Sequence, residues 1–184
     1  MSSLRFPNWW KGGFPDRELV VMDALQPVLN LVDVLDDDGN QVYDDGDARR
    51  PYACTWLPSD YRDRLPVIRV YRGGGATDVG SLRDPASVQV AVIAATRAAS
   101  WELMEYCRQW LLSYQSGGTV YRADGSKTLI DTVEEMVGPQ QLPELNPDDR
   151  MVPLTFRVIC RRQRGLPDYQ KIRESLQRMW ALAS

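Results

Sequence analysis

Residues 67–81, VIRVYRGGGATDVGS, set an apolar run against three consecutive glycines. Glycines directly after a strand are the frame of a phosphate cradle, in which backbone N–H groups hold the anion and a lysine neutralises it. Gly75 and Gly80 have the spacing of that loop, but Ser81 and Leu82 stand where its lysine and hydroxyl residue belong. Asp78 would place negative charge inside the cradle, and Pro85 disfavours a helix starting there. The dinucleotide fingerprint fails as well: Gly73 and Gly75 fit its first two glycines, and Asp78 takes the place of the third. What remains for Gly73, Gly74 and Gly75 is a loop between strands, about ten residues long and placed to touch a neighbouring chain.

The chain has no histidine. That removes Ser-His-Asp and Cys-His catalysis, His-ligated zinc, and the side chain most used for proton transfer near neutral pH. Lysines are few, at 11, 127 and 171, and arginines are many. Cys54, Cys107 and Cys160 are odd in number and widely spaced, a pattern of reduced thiols in a cytosolic setting rather than of a metal site.

Two charge clusters stand out. Aspartates crowd DDDGNQVYDDGD at 36–47, including Asp36, Asp37 and Asp38. In a calcium loop with Gly39 sixth, the first ligand would be Val34, so the run reads as a self-repelling surface loop. A weak divalent-ion site or an acidic lining facing another macromolecule are the alternatives. A metal-dependent phosphodiester hydrolase using Asp and Glu alone would need carboxylates brought together from several strands, which carry almost none. Asp131, Glu134 and Glu135 keep it as the alternative of another class. Arg157, Arg161, Arg162 and Arg164 gather near the C-terminus. Such a cluster can bind phosphates or an acidic protein surface, and with a net charge of −3 a subunit contact is favoured. Trp9 and Trp10, beside glycines, have the character of a contact surface, whereas Trp101 and Trp110 are expected in the core.

The elements that must position these residues follow from periodicity. Residues 1–16 mix aromatics with Gly and Pro and read as an arm packed on its own body or on a neighbour. Asp16 is placed to cap a helix carrying Leu19, Met22, Leu25, Leu29 and Val32, with Pro27 as a kink or break. Residues 36–63 read mainly as a connection, with a hairpin at Asp38-Gly39. Val67–Tyr71 is a strand, and the apolar run from Val88 to Ala95 is a strand covered on both faces. Residues 97–114 form the main helix, with Ala99, Leu103, Cys107, Trp110 and Tyr114 on one face and Gly117-Gly118 as its stop. Thr119–Tyr121 and 128–137 flank a turn at Asp124-Gly125, the second segment being a strand or a short helix. Gly138-Pro139 and the Pro143–Pro147 stretch break the chain. Strict alternation through Val152, Leu154, Phe156, Val158 and Cys160 marks a half-buried strand. Residues 168–182 are amphipathic through Tyr169, Ile172, Leu176 and Met179 and suit a docked terminal helix.

The expected class is α+β: a twisted, mainly antiparallel or mixed sheet of about four or five strands, the 97–114 helix on one face, and a helix at each end. The expected division is an arm at 1–16, one domain at 17–164 and a helical tail at 165–184. The N-terminus lacks the apolar core of a secretory signal, and no apolar run reaches the ~18 residues of a membrane span.

Three phrases carry a resemblance: LPVIRVYRGGG, DPASVQVAVIAATRAASWELMEYCRQWLLSY, and VGPQQLPELNPDDRMVPLTFRVICRR. Over about residues 18–162 the chain resembles the tail terminator proteins of long-tailed phages, particularly those infecting actinobacteria. The arm and the C-terminal tail stand outside that pattern. The resemblance implies a virion protein, made in the host cytoplasm, with neither enzymatic activity nor cofactor. It implies a hexameric ring on the head-proximal end of the tail tube that stops polymerisation and presents the joining surface for the head. Its partners would be further copies, the tail tube protein and a head completion or stopper protein, with double-stranded DNA passing through the lumen unbound. A stopper or other neck connector is the neighbouring alternative, and a monomeric adaptor using the Trp9-Trp10 arm is a more distant one. On this reading, alanines at 73–75 would impair assembly and leave the monomer folded.

Overall fold

The computed structural model describes residues 4–76, 83–140, 151–162 and 165–183. Asp78, Gly80, Ser81, Leu82, the Pro143–Pro147 stretch and Arg164 lie outside the described residues.

Helix α1 spans Arg17–Leu29, and Asp16 caps it by accepting from the Glu18 N–H at 2.9 Å. Its buried stripe is Val20, Val21, Ala24, Leu25, Val28 and Leu29, rotated from the expected one so that Leu19 is exposed. The cause is Arg17, fully buried in the first turn on the same face as Val21, Ala24 and Val28. Pro27 lies in the last turn, on the exposed side, and the helix ends two residues later.

The acidic segment is more ordered than a connection. Leu35 bridges Gln41 around the turn at Gly39, and strands β1 (Tyr43–Asp44) and β2 (Asp47–Ala48) form a second small hairpin. Then come β3 (Tyr52–Cys54), a short 3₁₀ turn at Tyr61–Arg64, β4 (Val67–Gly75) and β5 (Arg83–Ile93). Helix α2 (Arg97–Leu112) leads to β6 (Gly118–Tyr121), β7 (Lys127–Val137), β8 (Met151–Arg161) and α3 (Tyr169–Ala183). The larger sheet has six strands in the order β3-β4-β5-β8-β7-β6. β3 is parallel to β4 and every other pairing is antiparallel, so the sixth strand, which sequence reasoning passed over, makes the sheet mixed.

Gly73–Gly75 belong to β4 rather than to a loop, pairing with Ser87 and Ala86 of β5 across an irregularity between Arg72 and Gly74. Segment 128–137 is a strand. Register shifts between Ile130 and Thr132, and between Glu135 and Val137, disturb the alternation that would have identified it. β8 buries Val152, Leu154, Phe156, Val158 and Cys160, as its alternation predicts. β5 is covered on one face only. Ala86, Val88, Val90 and Val92 are buried there, while Ser87 and Gln89 are half-exposed on the other. Its apolar run looked continuous because Ala91 sits buried beside Pro153 of β8.

Both α1 and α2 pack on that covered face. α1 touches β3 and β4 on one side and β6 on the other, so the sheet curls round it. α2 is capped by Thr96, which accepts from Ala99 N–H at 3.1 Å, and it buries Ser100, Leu103, Met104, Cys107 and Leu111. Trp101 and Trp110 are not core: they are 41% and 37% exposed. The Trp110 indole N–H donates to the Ala24 carbonyl at 2.7 Å, and the Tyr106 hydroxyl to that of Val28 at 3.2 Å. These rings clamp the two helices together from the surface. Among the described residues, no helix is long and apolar enough to cross a membrane.

All three cysteines are free, and Cys107 and Cys160 are buried. Burial pushes their thiols up, Cys107 to about 12 and Cys160 to about 11. Since the thiolate is the reactive form, a thiol reagent at neutral pH is expected to modify only the half-buried Cys54 in the native protein, and all three after denaturation. Rapid labelling of two or three native thiols, counted by mass spectrometry, would contradict the packing of this core.

Candidate assembly surfaces

Three features converge on the end of the sheet where β5 begins and β8 ends, with Arg83 opposite Arg161 and Asp84 opposite Cys160. The first is a buried ionic knot. Arg17 and Asp84 are 0% and 2% exposed, with Nη2 and Oδ2 3.1 Å apart. Arg17 also donates to the Asp84 carbonyl at 3.3 and 3.4 Å and to the Pro15 carbonyl at 2.6 Å. Arg72 reaches the same carboxylate with both terminal nitrogens, at 3.3 and 3.2 Å, and its backbone N–H donates to Glu18 at 2.7 Å. Loss of water around Arg17 lowers its pKa, and the Asp84 charge opposes that fall. The knot ties the start of α1, the glycine end of β4 and the start of β5 into one piece. Sequence reasoning missed it, because an Asp between Arg83 and Pro85 reads as loop.

The second feature is an arginine–carboxylate ladder on the open face of the sheet. Arg157 lies 3.7 Å from Glu134, and Asp131 is shared between Arg161 and Arg83, the latter at 3.0 Å. Two of the arginines singled out in the sequence are therefore partnered inside the chain by the carboxylates once considered for metal. Among the described residues, no group of three or more His, Cys, Asp or Glu could hold a metal ion.

The third feature brings the N-terminal arm and α3 together. Tyr169 packs edge-on against Trp9 at 6.3 Å and tilted against Trp10 at 5.3 Å, with Phe6 at 6.1 Å from Trp10. The Tyr169 hydroxyl donates to the Gly12 carbonyl at 2.7 Å, and the Arg162 guanidinium lies 5.4 Å from its ring centre. Trp9, Trp10 and Arg162 thus share one surface built on Tyr169, which the sequence offered only as part of an amphipathic helix. Beyond this root, Leu176 and Met179 of α3 are 42% and 56% exposed.

The opposite end of the sheet lies past Ile93 of β5, which pairs with Val67 of β4. There the Val32–Leu35 segment, Pro66 and the first half of α2 line an apolar groove of about 360 Å³ that also carries Asp33 and Glu102. The aspartate turn continues directly from Leu35. Asp36 accepts from the N–H groups of Asp38 at 3.0 Å and Asn40 at 2.8 Å, and these bonds lower its pKa. It is a turn-builder, and Asp37 and Asp38 project beside it, exposed. The candidate residues therefore divide between two ends: Gly73–Gly75, Arg161, Arg162, Trp9 and Trp10 at one, Asp36–Asp38 at the other.

A family model described as phage tail termination protein matches residues 13–167. The chain belongs to that family. It is a structural protein of the phage tail, and the match takes in the whole six-stranded sheet, α1 and α2, while α3 lies beyond it. The family's role, tail termination, is a structural one. No curated protein matches the chain.

Proposed function

We propose that this tail terminator forms a ring, six-membered in the pattern of long-tailed phages, on the head-proximal end of the tail tube. The ring halts addition of tube subunits and presents the surface on which the head, through its completion or stopper protein, is joined. Family membership over residues 13–167 is the observation that carries the reading. The polarity of the subunit supports it: a head-to-tail ring needs two different, complementary patches on each copy. The end bearing Trp9, Trp10 and Arg162 and the end bearing Asp36, Asp37 and Asp38 differ in charge and shape in the required way. DNA passes through the lumen without specific binding, because an overall net charge of −3 gives duplex phosphates little to hold.

Mixing the purified protein with polymerising tail tube protein is expected to cap the tubes and stop their growth, seen as a ring at one end by negative-stain microscopy. Tubes of unchanged length with bare ends would overturn the reading. Arg162→Glu is the cleaner charge reversal, since Arg161 already serves Asp131. It is expected to lower the oligomer mass in light scattering without unfolding the subunit; unchanged mass would remove the charge pairing from the account.

A further inference from the structure

We infer that α3 of one copy docks in the apolar groove between the Val32–Leu35 segment and α2 of a second copy. The inference rests on the self-assembly proposed above and names the contact that makes it. α3 is 15 residues long, at the margin of what stays helical alone in water. Ile172, Leu176 and Met179 fall at i, i+4 and i+7, the anchor spacing of a helix laid in a groove. Leu176 and Met179 are 42% and 56% exposed, so among the described residues these two anchors of the stripe are left open for a partner.

The groove at the other end of the sheet has the matching character. Leu35, Pro66, Ala99 and Leu103 give it an apolar floor, and of its two carboxylates Asp33 is paired with Arg50 while Glu102 lines the groove from α2. α3 carries three basic residues, Lys171, Arg173 and Arg178, against one acid, Glu174. Apolarity therefore agrees in both partners, and the Glu102 carboxylate suits the basic side of α3.

Reach decides that the partner is a second copy. The root of α3 is fixed beside Arg162, next to the end of β8, whereas the groove lies past Ile93. Eleven-residue β5 separates those ends by roughly 33 Å, at about 3.3 Å per residue. At about 1.5 Å per residue α3 is only about 22 Å long, too short to return to its own groove. Each copy then gives a helix and receives one, a heterologous contact that closes into a ring or runs on as a filament. Because α3 lies outside the family match, this contact would be an addition of this chain to the common scaffold.

Two full-length variants in a Cys54→Ser background test it, one carrying Leu35→Cys and the other Met179→Cys. Mixed at high concentration and oxidised, they are expected to give a disulfide-linked pair containing one chain of each. Adding Leu176→Asp to the second chain is expected to cut that yield roughly tenfold or more, because burial of one leucine is worth about that factor. Absence of the mixed pair, or an equal yield with Leu176→Asp, would overturn the docking, whether α3 then meets tube protein, head protein or nothing. Negative-stain images of the same samples separate the two claims. Rings that persist in Leu176→Asp leave the terminator ring standing and remove the helix contact. Mixed pairs without rings leave the contact standing and remove the ring.

Discussion

Asp84→Ala is expected to lower the unfolding free energy by about 3–5 kcal/mol, the range for breaking a buried ion pair from one side. The substitution leaves the Arg17 guanidinium, 0% exposed, with carbonyl partners but no counter-charge. Arg72 loses the same carboxylate, but it is 36% exposed and can turn to water. The reverse change is expected to be milder. Arg17→Met fills a similar volume with apolar atoms and leaves Asp84 still held by both terminal nitrogens of Arg72. Asp84→Ala should therefore be clearly less stable than Arg17→Met in urea denaturation, with little change in slope between them. Equal losses, or a greater loss in Arg17→Met, would mean that the knot's worth lies in the packing of the arginine stem and not in its charge. The knot also roots the end of the sheet proposed for assembly, so the less stable variant should lose the proposed ring at a lower temperature.

The same knot shows what the sequence could and could not disclose. Period-two alternation made β8 legible residue by residue, and the spacing of Leu103 and Cys107 with the Gly117-Gly118 stop made the main helix legible, because both are local patterns with one buried side. Asp16 announced the start of α1 for the same reason. The helix face did not follow, since it is set by an arginine whose partner lies 67 residues away. β3 escaped because three residues are too few to display a period. β7 stayed ambiguous because its register shifts break the period that a strand should show. The candidate site divides likewise. Trp9, Trp10 and Arg162 were each conspicuous by type, but their common partner, Tyr169, looked like one more residue of an amphipathic helix. The groove left no trace in the sequence at all, because its walls come from a hairpin, the residues before β4 and α2.

Gly75→Ala is expected to destabilise the subunit by about 2–5 kcal/mol, combining backbone strain with overpacking, and Gly73→Ala to cost far less. Gly75 has φ of +123°, and a Cβ there would lie 2.3 Å from the Pro85 carbonyl oxygen and 2.8 Å from the Ala86 Cα. Those are backbone atoms of the paired strand, so the clash cannot be relieved by turning a side chain. At Gly73 the nearest atom to an added Cβ is the Ser87 hydroxyl oxygen at 3.9 Å, an ordinary contact. Removing a glycine's freedom in the unfolded chain stabilises by about 0.4–1 kcal/mol where the native backbone accepts a side chain, and Gly73 is where that gain is accessible. The expectation that alanines at 73–75 spare the monomer is thus corrected at Gly75, where the missing side chain lets β4 and β5 approach beside Asp84. Paired urea midpoints decide it: a Gly75→Ala protein as stable as the parent would refute the close approach. Gly73→Ala then becomes the informative probe of assembly. A folded Gly73→Ala subunit that no longer forms rings would place that end of β4 at a subunit contact, whereas full assembly would confine the glycines' role to the fold.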